Sequence, residues 1–186
     1  EVRQIAVRPG EQNSRDPLDV VFPVVHGTYG EDGTLQGLLE LANVPYVGAG
    51  VLASAVGMDK IIQKKLFAEA GLPIVKYTWF RSEECVKKTG ATVLMIEKRI
   101  RYPLFVKPAN TGPSVGISKA HNRKELARAL HLAAEFDRKV IVEQGIAGVR
   151  EIECSVLEDA QGGAPASEAE VLARLCSGPA ARDTGR

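Results

Sequence analysis

Between residues 26 and 37 the chain reads His26-Gly27-Thr28-Tyr29-Gly30-Glu31-Asp32-Gly33-Thr34-Leu35-Gln36-Gly37. Gly27, Gly30 and Gly33 keep backbone N–H groups accessible and permit positive φ. A carboxylate such as Glu31 can hold a substrate ammonium, and an imidazole such as His26 can hold a substrate carboxylate. The same residues also suit a tight turn with a helix-capping acid. A second group is Val106-Lys107-Pro108 followed by Asn110-Thr111-Gly112-Pro113-Ser114-Val115-Gly116. A lysine closing a buried strand, ahead of a loop bounded by Gly112 and Gly116, suits phosphate. The ammonium is a point charge, and the loop offers N–H groups and the Ser114 hydroxyl. The alternative is an ordinary hairpin with a solvated lysine. Lys60, directly after Met58-Asp59 at a helix start, draws its interest from that loop.

A third group is Val140-Ile141-Val142-Glu143-Gln144-Gly145-Ile146, a buried strand whose end could present backbone groups to an adenine edge. Further on, Arg150-Glu151-Ile152-Glu153 offers carboxylates for ribose hydroxyls, with Glu151 and Glu153 on one strand face. By itself this is a charged strand edge. The run Gly48-Ala49-Gly50-Val51-Leu52-Ala53 fits the dinucleotide pattern G-x-G-x-x-A. Its preceding strand is short and holds Pro45, and the acid expected about 20 residues on falls near Glu69, inside a helix. A nicotinamide or flavin site is set aside on those grounds.

The elements that must position these groups follow from hydrophobic spacing. Residues 20–25 form a β-rich apolar run, expected to be a buried strand that opens into the loop 27–33. A helix follows from Thr34 with Leu35, Leu38, Leu39 and Leu41 at helical spacing, then a short strand at 44–47. Strand, helix, strand in this order indicates a parallel α/β unit. Residues 59–70 predict a helix with Ile62, Leu66 and Ala70 on one face, stopped by Gly71 and Pro73. Strands are expected at 77–80, 104–107, 115–118, 140–143 and 151–157. Residues 81–101 read as a helix and a turn, and Asn122 with Glu125 resembles a capping box opening a helix through Leu126 and Leu130. The expected division is 1–75, 76–160 and a small-residue tail, 161–186, disordered or unrelated to the rest.

With 24 basic and 23 acidic residues in 186, the formal net charge is +1, which gives no electrostatic case for nucleic acid. An anion site must therefore be local. Apolar runs fall well short of the ~20 residues a membrane helix requires. Cys85, Cys154 and Cys176 form no Cys-x-x-Cys pair, so neither a zinc site nor a disulfide framework is indicated, and a cytoplasmic setting fits.

Taken together and in this order, the motifs resemble the D-alanine–D-alanine ligase family of the ATP-grasp superfamily. The stretch 26–37 is similar to the family's H-G-x-x-G-E-D-G signature, and 48–60, Val106-Lys107-Pro108, 112–116, Glu143-Gln144-Gly145 and 150–153 continue the series. The resemblance implies a partial Rossmann-like (pre-ATP-grasp) unit followed by an α+β ATP-grasp subdomain. It implies that ATP phosphorylates the carboxylate of one D-alanine and that the amine of a second attacks the acyl phosphate, for peptidoglycan synthesis. Lys60 and Lys107 would hold ATP phosphates, with Ser114, Gly116 and their loop closing over them. Glu143, Gln144, Gly145 and Ile146 would cradle adenine, Glu151 would take the ribose, and His26 and Glu31 would belong to the first D-alanine's pocket. Neither nucleic acid nor membrane is an expected partner, and a homodimer is implied for the full-length protein.

Pro113 departs from the family's Gly-Ser-Ser and removes a hydroxyl and a backbone donor. The expected Mg²⁺ ligands would come from a C-terminal part that nothing after Leu157 resembles, so the chain alone is expected to be inactive. The alternatives are a ligase joining D-alanine to D-lactate or D-serine, and a non-catalytic ATP-binding module.

Overall fold

The computed structural model of the chain describes residues 18–112 and 115–148. Contacts group the chain into two units, Glu1–Gly145 and Ile146–Arg186, and every element named below lies in the first. Its order is α1 (Thr34–Leu41), α2 (Val51–Met58), α3 (Lys60–Glu69), β1 (Tyr77–Arg81), α4 (Ser82–Lys87), α5 (Thr89–Arg99), β2 (Leu104–Pro108), β3 (Ser118–Ala120), α6 (Arg123–Ala134) and β4 (Lys139–Gln144).

The four strands form one sheet in the order β1-β4-β2-β3, antiparallel at each pairing. Side chains alternate across it with period two. Leu104 and Val106 of β2 and Val140 and Val142 of β4 point to one face, where they join Cys85, Ile96 and Leu130 in the main core. Helices α4, α5 and α6 supply that cover. Phe105 and Lys107 of β2, with Lys139, Ile141 and Glu143 of β4, point to the other face. There Ile141 packs with Ile61 of α3 and with Ala109. One sheet therefore presents an apolar face to three helices and a charged face to α3. Cys85 is wholly buried, and burial pushes its thiol up to about 12, so it packs as an apolar side chain.

Where spacing and structure differ, packing explains the difference. The run 20–25 is not a buried strand: Val24 is 74% exposed, and the described pairing is a single parallel bridge, Val21 to Tyr46. That bridge keeps the strand–helix–strand order around α1, but a parallel strand is buried only when neighbours and helices cover it. The stretch 81–101 holds two helices. Its inward positions, Cys85, Thr92, Val93 and Ile96, are diluted by exposed Leu94 and Met95, which blurs the helical period. Residues 48–53, set aside as a dinucleotide pattern, run into the unanticipated helix α2. On α3 the apolar face expected at Ile62, Leu66 and Ala70 is exposed, and Ile61 is the buried residue. The helix docks through a polar face instead. The strand expected at 115–118 begins only at Ser118, because Gly116 sits at φ +68 and leaves extended geometry. A Cβ there would come within 2.7 Å of Phe136 and 2.8 Å of Pro108, so only glycine fits. The expected Asn122 cap is present, accepting from the Glu125 amide at 3.0 Å. The strand expected at 151–157 and the tail 161–186 lie outside the described residues.

Ile96→Ala, at a fully buried position, is expected to lower the urea-unfolding free energy by about 2–5 kcal/mol. Leu94→Ala, on the exposed side of the same helix, should cost less than about 0.5 kcal/mol.

Candidate functional site

Asp59 starts α3. Its carboxylate accepts from the amides of Ile61 (3.0 Å) and Ile62 (3.2 Å) and pairs with Lys139 of β4. Burial works against its charge, but the Lys139 bond and the two amides prevail and hold it below the ordinary carboxylate value. This cap fixes Lys60 as the first helical residue. The Lys60 amide donates to Ala109 O at 3.0 Å, and its ammonium donates to Thr111 O at 2.7 Å, inside the glycine loop after β2. Lys60 and that loop are thus joined at two points, although 51 residues separate Lys60 from Thr111. The loop is held from its far side by Asp137, which accepts from the Asn110 amide at 2.6 Å and from its side chain at 3.0 Å.

Lys107 leaves β2 on the charged face. Its ammonium lies 2.6 Å from one oxygen of Glu143, and Lys64 lies 2.8 Å from the other. Glu143 is only 8% exposed. Burial alone would raise its pKa, but the bonds from Lys107 and Lys64 outweigh that penalty and hold it below the ordinary value. Lys64, Lys107 and Lys139 each contact a carboxylate, whereas Lys60 contacts a carbonyl. Burial first, and the charge of Lys107 second, pull the Lys60 pKa down. An ammonium depressed in this way is stabilised by any anion that enters beside it.

Space for one exists. A cavity of about 780 Å³ is lined by Lys60, Lys107, Thr111 and Gly112 together with His26 and Glu31. Two loops distant in sequence close it. A Cβ on Gly112 would lie 2.9 Å from the Gly27 Cα, so the backbones meet at a distance that only glycine permits. In the loop 27–33 the two acids divide their tasks. Asp32 accepts from the amides of Tyr29 (2.9 Å) and Thr34 (3.0 Å), closing the turn and opening α1. Glu31 accepts from the Gly27 amide and lies 3.9 Å from Nδ1 of His26, which is exposed. Gln36 reaches back from α1 to Gly30 O at 3.1 Å.

The structure thus brings Lys60, Lys107, His26 and Glu31 to one cavity, with Gly116 bracing the loop that lines it. Glu143 enters the site through its side chain, as the partner of Lys107. Gln144 lines a separate cleft of about 460 Å³ with Lys76 and Arg99. Its amide donates to Lys76 O at 2.9 Å, and the Gly145 amide donates to Pro103 O at 2.8 Å. Ile146 is exposed. Ser114 and Glu151 lie outside the described residues. Spacing could have found two further residues. Lys64 is four residues after Lys60 and shares its helix face, and Lys139 shares the face of Ile141 and Glu143 by strand alternation.

Residues 2–49 match the family described as D-ala D-ala ligase N-terminus, and residues 66–173 match the one described as D-ala D-ala ligase C-terminus. The second match covers more than half of the chain. The chain belongs to the D-alanine–D-alanine ligase family. The D-alanine–D-alanine ligase of Bacillus velezensis is 59% identical over 145 residues, covering 78% of this chain and 41% of that protein. That of Acetivibrio thermocellus is 54% identical over 150 residues, covering 81% and 40%. Among solved structures, the VanG D-Ala:D-Ser ligase from Enterococcus faecalis is 46% identical with a TM-score of 0.68, covering 75% of this chain and 39% of that one. The D-alanine-D-alanine ligase from Coxiella burnetii is 40% identical with a TM-score of 0.68, covering 78% and 42%. The chain spans about 40% of the length of the curated relatives it matches. Its architecture is the expected one, a partial Rossmann-like unit followed by an α+β ATP-grasp subdomain with an antiparallel sheet.

Because the pKa values of Glu143 and Asp59 are depressed on folding, their stabilisation is present above the ordinary values of 4.5 and 3.8 and is lost as pH falls through the folded ones. The thermal midpoint should therefore drop on acidification below pH 4.5. Glu143→Gln should lower the midpoint at pH 7 and flatten that acid limb, as followed by circular dichroism.

Proposed function

We propose that this chain holds ATP and the first D-alanine of a D-alanine–D-alanine ligase. The observation that carries the reading is the shared cavity of Lys60, Lys107, His26 and Glu31 in a chain of this family. In the proposed reaction the γ-phosphate of ATP passes to the carboxylate of one D-alanine, releasing ADP. The amine of a second D-alanine then attacks the acyl carbon, forming the peptide bond and expelling phosphate. Such transfers need charge neutralisation and alignment more than covalent catalysis.

Each group has a task on this reading. Lys60 and Lys107 neutralise the triphosphate, and the loop 110–116, with the Ser114 hydroxyl and Gly116, covers it. The chain from Glu143 to Ile146 borders adenine and Glu151 takes the ribose hydroxyls. Glu31 holds the ammonium of D-alanine and His26 its carboxylate. The boundary between the substrate-binding domain and the ATP-grasp subdomain is placed at residue 75, in the connection between α3 and β1. Among the described residues no three or more His, Cys, Asp or Glu side chains gather. The ligands of the Mg²⁺ that the family implies are expected in the C-terminal part, and no step is assigned to it. D-alanine is proposed as the second substrate because the curated relatives at 59% and 54% identity are named D-alanine–D-alanine ligase.

ATP at one hundred times its Kd should stabilise the chain by about 2.7 kcal/mol, read as a rise in the thermal midpoint. Lys60→Met and Lys107→Met should each remove most of that rise. Lys60→Met should leave the ATP-free midpoint equal or higher, because it removes a buried charge that the folded state disfavours. If ATP leaves the midpoint of the folded chain unmoved, or both variants respond as the parent does, the nucleotide assignment is wrong.

A further inference from the structure

Lys107 presents a difficulty for the reading just given. The ammonium that should meet a triphosphate is already held 2.6 Å from Glu143. If Lys107 turned away and Glu143 had no other partner, a carboxylate with 8% exposure would be left charged and alone, which is strongly unfavourable. Lys64 removes the difficulty. It sits 2.8 Å from the second oxygen of the same carboxylate, so the two lysines do not compete for one atom.

Lys64 is itself well placed to stay. Its side chain is 16% exposed, against 26% for Lys107. Each ammonium also faces a ring, Lys64 at 5.6 Å from the Tyr77 centroid and Lys107 at 5.7 Å from that of Phe105, so the difference in exposure is what sets the two lysines apart. Lys107 lines the cavity and Lys64 is not among its lining residues. One lysine is thus anchored to the carboxylate, and the other lies between the carboxylate and the open space.

We propose that Lys64 is a positioning residue that keeps Glu143 neutralised while the Lys107 ammonium turns from Glu143 to the triphosphate of the incoming nucleotide. The inference rests on the nucleotide reading above and deepens it. Glu143 stores Lys107 in the empty site, and Lys64 lets it be released. Repulsion between Lys107 and Lys60, which depresses the Lys60 pKa, is relieved in the same event because the phosphate anion is shared by both.

The test is the ATP affinity of the whole chain, by isothermal titration calorimetry, for the parent, Lys64→Met, Lys64→Arg, Glu143→Gln and the double variant Lys64→Met/Glu143→Gln. Lys64→Met should weaken ATP by about tenfold, and Lys64→Arg should recover most of the loss. In the Glu143→Gln background, Lys64→Met should change ATP affinity by less than about twofold, because no carboxylate then remains to retain Lys107. A merely structural lysine would weaken ATP equally in both backgrounds, and that result would overturn the proposal. So would unchanged affinity in Lys64→Met beside normal binding by the parent. Circular dichroism of each variant identifies any that fails to fold; should Lys64→Met be one, Lys64→Gln takes its place with the same expectations. No binding by the folded parent would sink the nucleotide reading itself, and this inference with it.

Discussion

A carboxylate with 8% of its surface exposed stays ionised only where opposite charge is brought to it, and Glu143 imposes that demand on the charged face of the sheet. Two ammonium groups answer it, one from the neighbouring strand β2 and one from α3. Meeting the demand fixes where α3 can lie. The helix is pinned at its start by Asp59 to Lys139 and one turn later by Lys64 to Glu143, with Ile61 between as the apolar contact. Lys60 is carried into place by the same docking. A helix that buried Ile62 and Leu66 instead would turn Lys60 and Lys64 away from the sheet.

The two faces of the sheet therefore divide the labour. Stability resides on the side of α4, α5 and α6, where Leu104, Val106, Val140 and Val142 pack into a closed apolar core. The opposite side carries charge in excess of what packing needs, and its ammonium groups border open space. Alternation along β2 and β4 allows this, since each residue committed to the core is followed by one free to serve the site.

Backbone proximity links the loop after β2 to the loop 27–33. Gly27 and Gly112 approach so closely that a side chain on Gly112 would meet the Gly27 backbone and separate the loops. The absence of a side chain on Gly112 lets the two loops close one cavity. The charged face and this contact meet at one cavity.

Residue types and spacing alone determined much of this protein. The motifs from His26 to Glu143 were legible as a resemblance to the ligase family, and α6, β1, β2 and β4 were legible because their local patterns agree with their packing, whereas α1 formed as expected although Leu38 and Leu41 are exposed and Gln36 is buried. The Asn122 cap was legible because it acts over three residues. Long-range contact decided the rest. Which face of α3 is buried could not be read from Ile62 and Leu66, since partners 80 residues away, such as Lys139 for Asp59, outweigh a local apolar stripe. The two helices in 81–101 needed the sheet to show which of their side chains face inward. That Lys60 and Lys107 share a cavity, and that Glu143 spends its charge on lysines, depends on distances through space. A linear pattern names the charges, but only the folded chain determines which of them meet.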